Sequence, residues 1–400
     1  MPSPHAGALR LLFGCLVCIG IGQSMLFSIL PPAARQLGIT PFQVSTIFAT
    51  SAALWVFISP WWGRRSDVRG RRPIMIIGLL GYALSMFALA VVVEVGTRGL
   101  LPAPLIYPLL IVSRCLFAIF GSGTGPAAQA YVADRTSRHD RTAGIALVSA
   151  AMGLGETIGP GVGALLSTVD LLAPLYLSAA LAVASAWLIG RWLPEEGPPV
   201  TADAPRPPRL RLRDPRVLPF VCVSAALQAT RATTVITFAF FLQDTLHLTP
   251  ERTVQLSGIG FVILALAGLF AQLVIVRRLR PTARGMMRIG LPLSVAAYAL
   301  LVVGHGLPAY FAALALLGLG LGLLRPGSAA GASLSVESNE QGSVAGLVNG
   351  VAVVGNVFGP MLGTTLYSIT PVGPYLLNAV VMTAAWVLLF ANRRLRTLRA

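Results

Sequence analysis

The sequence predicts an all-α membrane protein of twelve transmembrane helices arranged as two six-helix, pseudo-symmetric bundles. Three observations point there. Of the 400 residues, 55% are hydrophobic and only 11% charged, whereas ordinary soluble domains carry about 25% charged residues. That leaves too few polar side chains to cover a water-facing surface. Apolar runs of about 20 residues recur from end to end, each long enough to cross roughly 30 Å of hydrocarbon. Finally, Gly155, Gly159, Pro160 and Gly163 recur as Gly355, Gly359, Pro360 and Gly363 at an offset of 200, and Pro126 recurs as Pro326 at the same offset. The first two observations exclude a soluble enzyme and a soluble protein with one anchor.

In the first half the apolar runs begin near Leu9, Phe42, Ile74, Leu105, Thr142 and Leu171. In the second half they begin near Val217, Thr253, Ile289, Tyr310, Val344 and Pro374. The first run follows Arg10 and has the outline of a signal peptide. It is too long for one and ends in Leu30-Pro31-Pro32 instead of a small-residue cleavage site, so it reads as a retained helix. Residues 193–216 break the pattern with seven prolines and a cluster of Arg. They read as a cytoplasmic linker between an N-terminal bundle, 1–192, and a C-terminal bundle, 217–400.

The net charge of +16 resembles a nucleic-acid signal until the positions are counted. All 30 basic residues are Arg. With the N-terminus placed in the cytoplasm, 24 of them fall on the cytoplasmic side and only Arg35, Arg98 and Arg252 on the other. The charge is therefore membrane topology, nucleic acid is not needed as a partner, and both chain ends face the cytoplasm.

The absence of Lys removes the P-loop lysine that grips ATP phosphates and the Schiff-base lysine of pyridoxal chemistry. Cys15 and Cys18 spell C-x-x-C, but inside an apolar run and without a second pair, so they read as packing. The four His lack ligand spacing. No metal site, no catalytic residues and no cofactor are expected.

The loop after the second run reads Gly63-Arg64-Arg65-Ser66-Asp67-Val68-Arg69-Gly70-Arg71-Arg72-Pro73. Gly153 to Gly161 reads GLGETIGPG, and Ala130 to Arg135 reads AYVADR. The first resembles the signature loop of the major facilitator superfamily; the other two resemble its twelve-helix drug:proton antiporter branch, tetracycline exporters included. Arg114 matches the buried Arg of the family's fourth helix. The sequence departs from the pattern at Arg65, at Ala118 and at Thr282, which stands where Asp67 would fall in the second half. The first helix also lacks the acidic residue of some drug exporters, its nearest polar groups being Gln23 and Ser24. The resemblance implies the major facilitator fold, with Gly63, Asp67, Gly70, Arg71 and Arg72 as a latch that controls the outward-facing state. Asp134 and Arg141 are expected partners of Asp67, whose carboxylate is expected at a helix N-terminus.

Spaced four apart, Gly155, Gly159 and Gly163 form a smooth helical strip beside Pro160, as Gly355, Gly359 and Gly363 do beside Pro360. These strips serve close packing or shape the gating face. Four charges lie inside apolar runs: Arg114, Glu156, Arg231 and Arg325. Each costs about 2.5–3.5 kcal/mol at the bilayer centre on insertion scales. Arg114 and Glu156 sit at matching depths, so they are expected to pair. The pair is either a proton-coupling device, with Glu156 titrating, or a permanent structural ion pair. Arg231 has no acidic partner in any apolar run. It marks a cavity for anionic substrates, with Gln23 as a second cavity candidate, or it bonds backbone carbonyls.

The expected protein is thus a secondary active transporter, a proton-coupled exporter of a small organic molecule working by alternating access. It is a multi-pass protein of the plasma (inner) membrane, with protons, lipid and a small-molecule substrate as partners, and a monomer. A metabolite importer or uniporter of the same fold is the alternative. A receptor or membrane enzyme lacks the clustered residues or added domain it would need.

Overall fold

The computed structural model describes residues 4–135, 141–195, 214–337 and 340–391. These residues form twelve helices and no strand. In order they are α1 (Pro4–Gln36), α2 (Pro41–Arg69), α3 (Arg71–Thr97), α4 (Ala103–Arg135), α5 (Arg141–Leu166) and α6 (Ala173–Trp192). Then follow α7 (Leu218–Leu246), α8 (Pro250–Leu279), α9 (Ala283–Val303), α10 (Gly306–Leu334), α11 (Gln341–Tyr367) and α12 (Gly373–Ala391). Nine are long and apolar enough to cross a membrane among the described residues. Every expected run corresponds to one helix. Ten helices begin ahead of the expected run, and α6 and α7 begin one or two residues after it; the largest difference is at α9, which starts at Ala283 where the run alone suggested Ile289.

Local chemistry sets several of these ends. Thr40 and Gln43 form a capping box at the start of α2: the Gln43 backbone N–H donates to Thr40 Oγ1 at 3.3 Å, and the Thr40 N–H donates to Gln43 Oε1 at 2.9 Å. Thr282, at the position where Asp67 would recur, caps α9 by accepting the Gly285 N–H at 3.0 Å. Two helices contain a wider π-type turn, at Phe117–Gly121 in α4 and Ala271–Val276 in α8.

The chain divides into two compact units. The first contains α1–α6 and Thr249–Gly258; the second contains α7, the rest of α8 and α9–α12. In the first, α1 packs along α5, α3 packs along α6 and α4, and α1 also touches α6. In the second, α7 packs along α11, while α9 packs along α10 and α12. The linker residues 196–213 lie outside the described residues.

The glycine strips make the α1–α5 and α7–α11 contacts possible. A Cβ added at Gly155 would meet the backbone of α1, including Ile21 N at 2.7 Å and Gly20 Cα at 2.8 Å. One added at Gly159 would overlap Ser24 Oγ and the Ile21 carbonyl, and one at Gly163 would press on Met25 Cγ at 3.1 Å. The second unit repeats this. Gly355 faces Ala225 O and Ala229 N, both at 3.0 Å; Gly359 faces Ala229 Cα at 2.7 Å; and Gly363 faces Thr233. The residues touched on α7 are those touched on α1 shifted by 208: Val17 to Ala225, Ile21 to Ala229 and Met25 to Thr233. Without water to drive association, helices in lipid gain from such close backbone approach.

Gly159→Val is therefore expected to destabilise the first unit by about 1–3 kcal/mol through overpacking. Gly153→Ala, whose Cβ would meet nothing within 4 Å, should not. Thermal unfolding of the two variants in detergent, followed by tryptophan fluorescence or monodispersity, distinguishes them.

Candidate functional site

The signature loop closes around Arg71. Only Gly70 separates α2 from α3, and its φ of +94° lies in a region that side-chain-bearing residues rarely adopt. This turn folds Arg71 back onto α2. Its Nη1 donates to Ser66 Oγ at 2.7 Å and to Asp67 Oδ1, while its Nε donates to Asp134 Oδ2 at 3.1 Å on α4. Arg71 is buried (7% exposed), so both carboxylates act on a guanidinium withdrawn from water. The expected latch residues Asp67, Arg71 and Asp134 are joined, with Arg71 at the hub. Gly63, on α2, has its nearest neighbour to an added Cβ at Pro126, 4.0 Å away. The Arg141 side chain lies outside the described residues.

Asp67 is not at a helix N-terminus, contrary to expectation. It lies in the last turn of α2, where the dipole is unfavourable to an anion and the guanidinium of Arg71 compensates. The N-terminus of α3 is held instead by Glu195, whose Oε1 accepts the Arg71 N–H and Oε2 the Arg72 N–H, both at 2.9 Å. A Cβ at Gly70 would strike this carboxylate, with Cδ only 3.0 Å away. Arg72 donates to the Gly190 carbonyl on α6, and the Pro194 carbonyl takes Arg135 Nη2 at 2.9 Å and Tyr131 OH at 3.1 Å. Glu195 was missed because it sits in a proline-rich stretch read as linker. Its only signal was a carboxylate immediately after a helix end.

Arg114 lies on α4, three residues before the π-type turn. It is buried, with its guanidinium carbon 4.6 Å from the Phe117 ring centroid and 5.5 Å from that of Phe48. Nη2 donates to Gln23 Oε1 on α1 at 3.0 Å; Nε and Nη1 have no hydrogen-bond partner among the described residues. The expected Arg114–Glu156 pair is absent. Glu156 is exposed and makes no ion pair or hydrogen bond among the described residues. Matching depth did not bring them together because helix rotation separates them. Gly155 and Gly159 turn into α1, and the next residue, Glu156, is rotated about 100° from Gly155 onto the open side of α5. Arg114 is meanwhile enclosed behind its two aromatic rings.

Arg231 is half-buried near the middle of α7 and makes no hydrogen bond or ion pair among the described residues, with Tyr298 as an electrostatic neighbour. Arg325, on α10, is exposed. Pro160 and Pro360 are buried beside the glycine strips. The second unit also holds a buried polar cluster that hydropathy concealed. Asn378 Nδ2 donates to the Thr230 carbonyl at 3.2 Å and to Thr234 Oγ1 at 3.3 Å, and the Thr234 hydroxyl lies 3.3 Å from Tyr298 OH. Phe238, Phe240 and Phe241 are core residues there. Ahead of α7, Arg216 is bonded to Asp214 and Glu340; it holds the Glu340 carboxyl below its ordinary range, with help from the Glu337 N–H.

Comparison with known proteins gives this architecture a family. The chain is 26% identical to multidrug resistance protein 1 of Bacillus subtilis over 378 residues, covering 92% of each protein. It is 24% identical to the class C tetracycline resistance protein of Escherichia coli over 382 residues, covering 90% of each. Its fold matches that of a bacterial homologue of the human lysosomal transporter Spinster, with a TM-score of 0.77 over 98% of both chains at 14% identity. The Major Facilitator Superfamily model matches residues 12–284 and 278–399. Together with the twelve helices, that match makes the chain a member of the Major Facilitator Superfamily: a multi-pass membrane transporter of small molecules, not an enzyme.

Proposed function

We propose that this transporter exports a small organic molecule in exchange for protons, as a monomer of the plasma (inner) membrane with both chain ends in the cytoplasm. The observation that carries the reading is Glu156. Among the described helices it is the one carboxylate more than a turn from a helix end, and it is exposed and unpaired. A carboxylate at that depth is costly when ionised. It takes up a proton when its surroundings dry and releases it when water returns, as alternating access requires. The names of the relatives, which concern resistance to drugs and to tetracycline, support export of an organic compound. The Arg asymmetry of 24 to three supports the orientation. A potential of 100 mV supplies about 2.3 kcal/mol per charge, or roughly fifty-fold accumulation. No cofactor is involved.

Arg114 is the fixed charge of this scheme. A guanidinium stays protonated, so Nε and Nη1, unpartnered among the described residues, can take an acceptor that arrives in one state and leaves in the other. Asp67, Arg71, Asp134 and Glu195 tie α2, α3, α4 and the chain after α6 together at one end of the first unit. This network is the latch whose making and breaking accompanies the change of access.

Inverted membrane vesicles with a respiration-driven pH gradient test the coupling. Transported compounds are expected to collapse the gradient in wild type and not in Glu156→Gln. Undiminished collapse in that variant would refute the role of Glu156. For the latch, Arg71→Gln leaves Asp67 and Asp134 without their shared cation. Counterflow is expected to fall several-fold while membrane-inserted protein is recovered at wild-type yield. Unchanged counterflow would restrict the network to a structural role.

A further inference from the structure

The repeated packing of α1 and α7 yields a register between the units that whole-sequence comparison at offset 200 does not. On these two helices the offset is 208, fixed by three pairs of contacts with the glycine strips, two through backbone and one through side chains. A separate contact agrees with it. A Cβ on Gly22 of α1 would meet Ser178 Oγ of α6 at 2.8 Å, and its counterpart, Thr230 of α7, accepts from Asn378 of α12. Ser178 and Asn378 are themselves 200 apart, the offset of the glycine strips.

In this register the counterpart of Gln23 is Arg231. The same place in each unit therefore carries opposite chemistry. In the first, Gln23 supplies a carbonyl oxygen that binds a guanidinium, Arg114. In the second, the position carries the guanidinium and no acceptor meets it among the described residues. Arg231 is 13 residues from the start of α7 and 15 from its end, about 20 Å from either. That is too deep for the snorkelling open to Arg near helix ends. Its half-buried state leaves the planar fork of donors accessible, and a carboxylate matches that fork with two parallel bonds. Glu156, the one carboxylate more than a turn from a helix end among the described helices, makes no ion pair with Arg231.

We infer that Arg231 is the specificity-determining residue for substrate charge, and that the transported molecules are lipophilic organic acids that place a carboxylate on its guanidinium. The inference rests on transport of small molecules by this family and does not require proton coupling. Arg231 is a binding residue here. A hydrophobic body with one acidic group is the ligand that both satisfies the cation and suits an apolar environment.

The test is equilibrium binding to purified protein in detergent, with no gradient, so a failure of coupling leaves the result unaffected. Matched xanthene dyes serve as probes: fluorescein as the anion, its methyl-ester ether as the uncharged form and rhodamine 6G as the cation, all read by fluorescence anisotropy. Wild type is expected to bind fluorescein at least ten-fold more tightly than rhodamine 6G. Arg231→Gln, which installs the side chain of the repeat position, is expected to weaken fluorescein binding ten-fold or more and leave the uncharged dye within two-fold. Arg231→Lys should restore part of the loss. Arg325→Gln, which removes an exposed Arg, should change nothing beyond two-fold. Retained binding of the uncharged dye certifies the folded state. A preference for rhodamine 6G, no fluorescein binding at millimolar concentration, or equal losses for all three dyes in Arg231→Gln would each overturn the inference.

Discussion

Backbone-to-backbone contact between α1 and α5, repeated between α7 and α11, is the constraint on which the other features depend. Three glycines four residues apart remove every side chain that would hold the helices apart, so the carbonyls of one helix approach the α-carbons of the other. Such an approach fixes rotation as well as distance. With Gly155 and Gly159 turned inward, Glu156 faces outward, and the partner of Arg114 becomes Gln23 on α1. The outward placement of Glu156 follows from this seam.

The two units use the same packing to different chemical ends. The first concentrates charge at one end, where Arg71 gathers Ser66, Asp67 and Asp134 and Glu195 holds the start of α3. The second carries a plain Thr282 cap where the signature loop has Asp67, gathers charge ahead of α7, where Arg216 joins Asp214 and Glu340, and buries a neutral cluster of Thr230, Thr234, Tyr298 and Asn378. The duplicated scaffold thus carries an ionic network around a buried Arg71 in the first unit and a neutral hydrogen-bonded cluster in the core of the second. Neutral pairs cost little to bury when satisfied, whereas buried charges demand a partner. Glu156, Arg231 and two nitrogens of Arg114, without a hydrogen bond or ion pair among the described residues, are the exceptions.

Glu195 changes the meaning of the segment after α6. It follows Pro194, whose ring cannot continue a helix and whose carbonyl binds Arg135 and Tyr131. The first residues of the linker thereby belong to the ionic network instead of simply joining two bundles. Both Glu195 oxygens occupy the positive end of the α3 dipole, a place that favours a carboxylate wherever it comes from in the chain.

The helices are legible in the linear chain, because each depends on local quantities: a run of apolar residues, a capping Thr, a Gly or Pro at an end. It also revealed the repeat and the signature loop, since glycine spacing and charge clusters are linear features. Depth along a helix was equally legible, at a fixed rise per residue. Only the tertiary structure decided which way each side chain turned. Arg114 and Glu156 share a depth but not a direction, Asp67 ends a helix it was expected to begin, and Gln23 and Arg231 become counterparts only through their contacts with the glycine strips. Rotation about a helix axis is set by what packs against it, and that partner lies far away in the chain, 91 residues for Arg114 and Gln23 and 131 for Gly155 and Ser24.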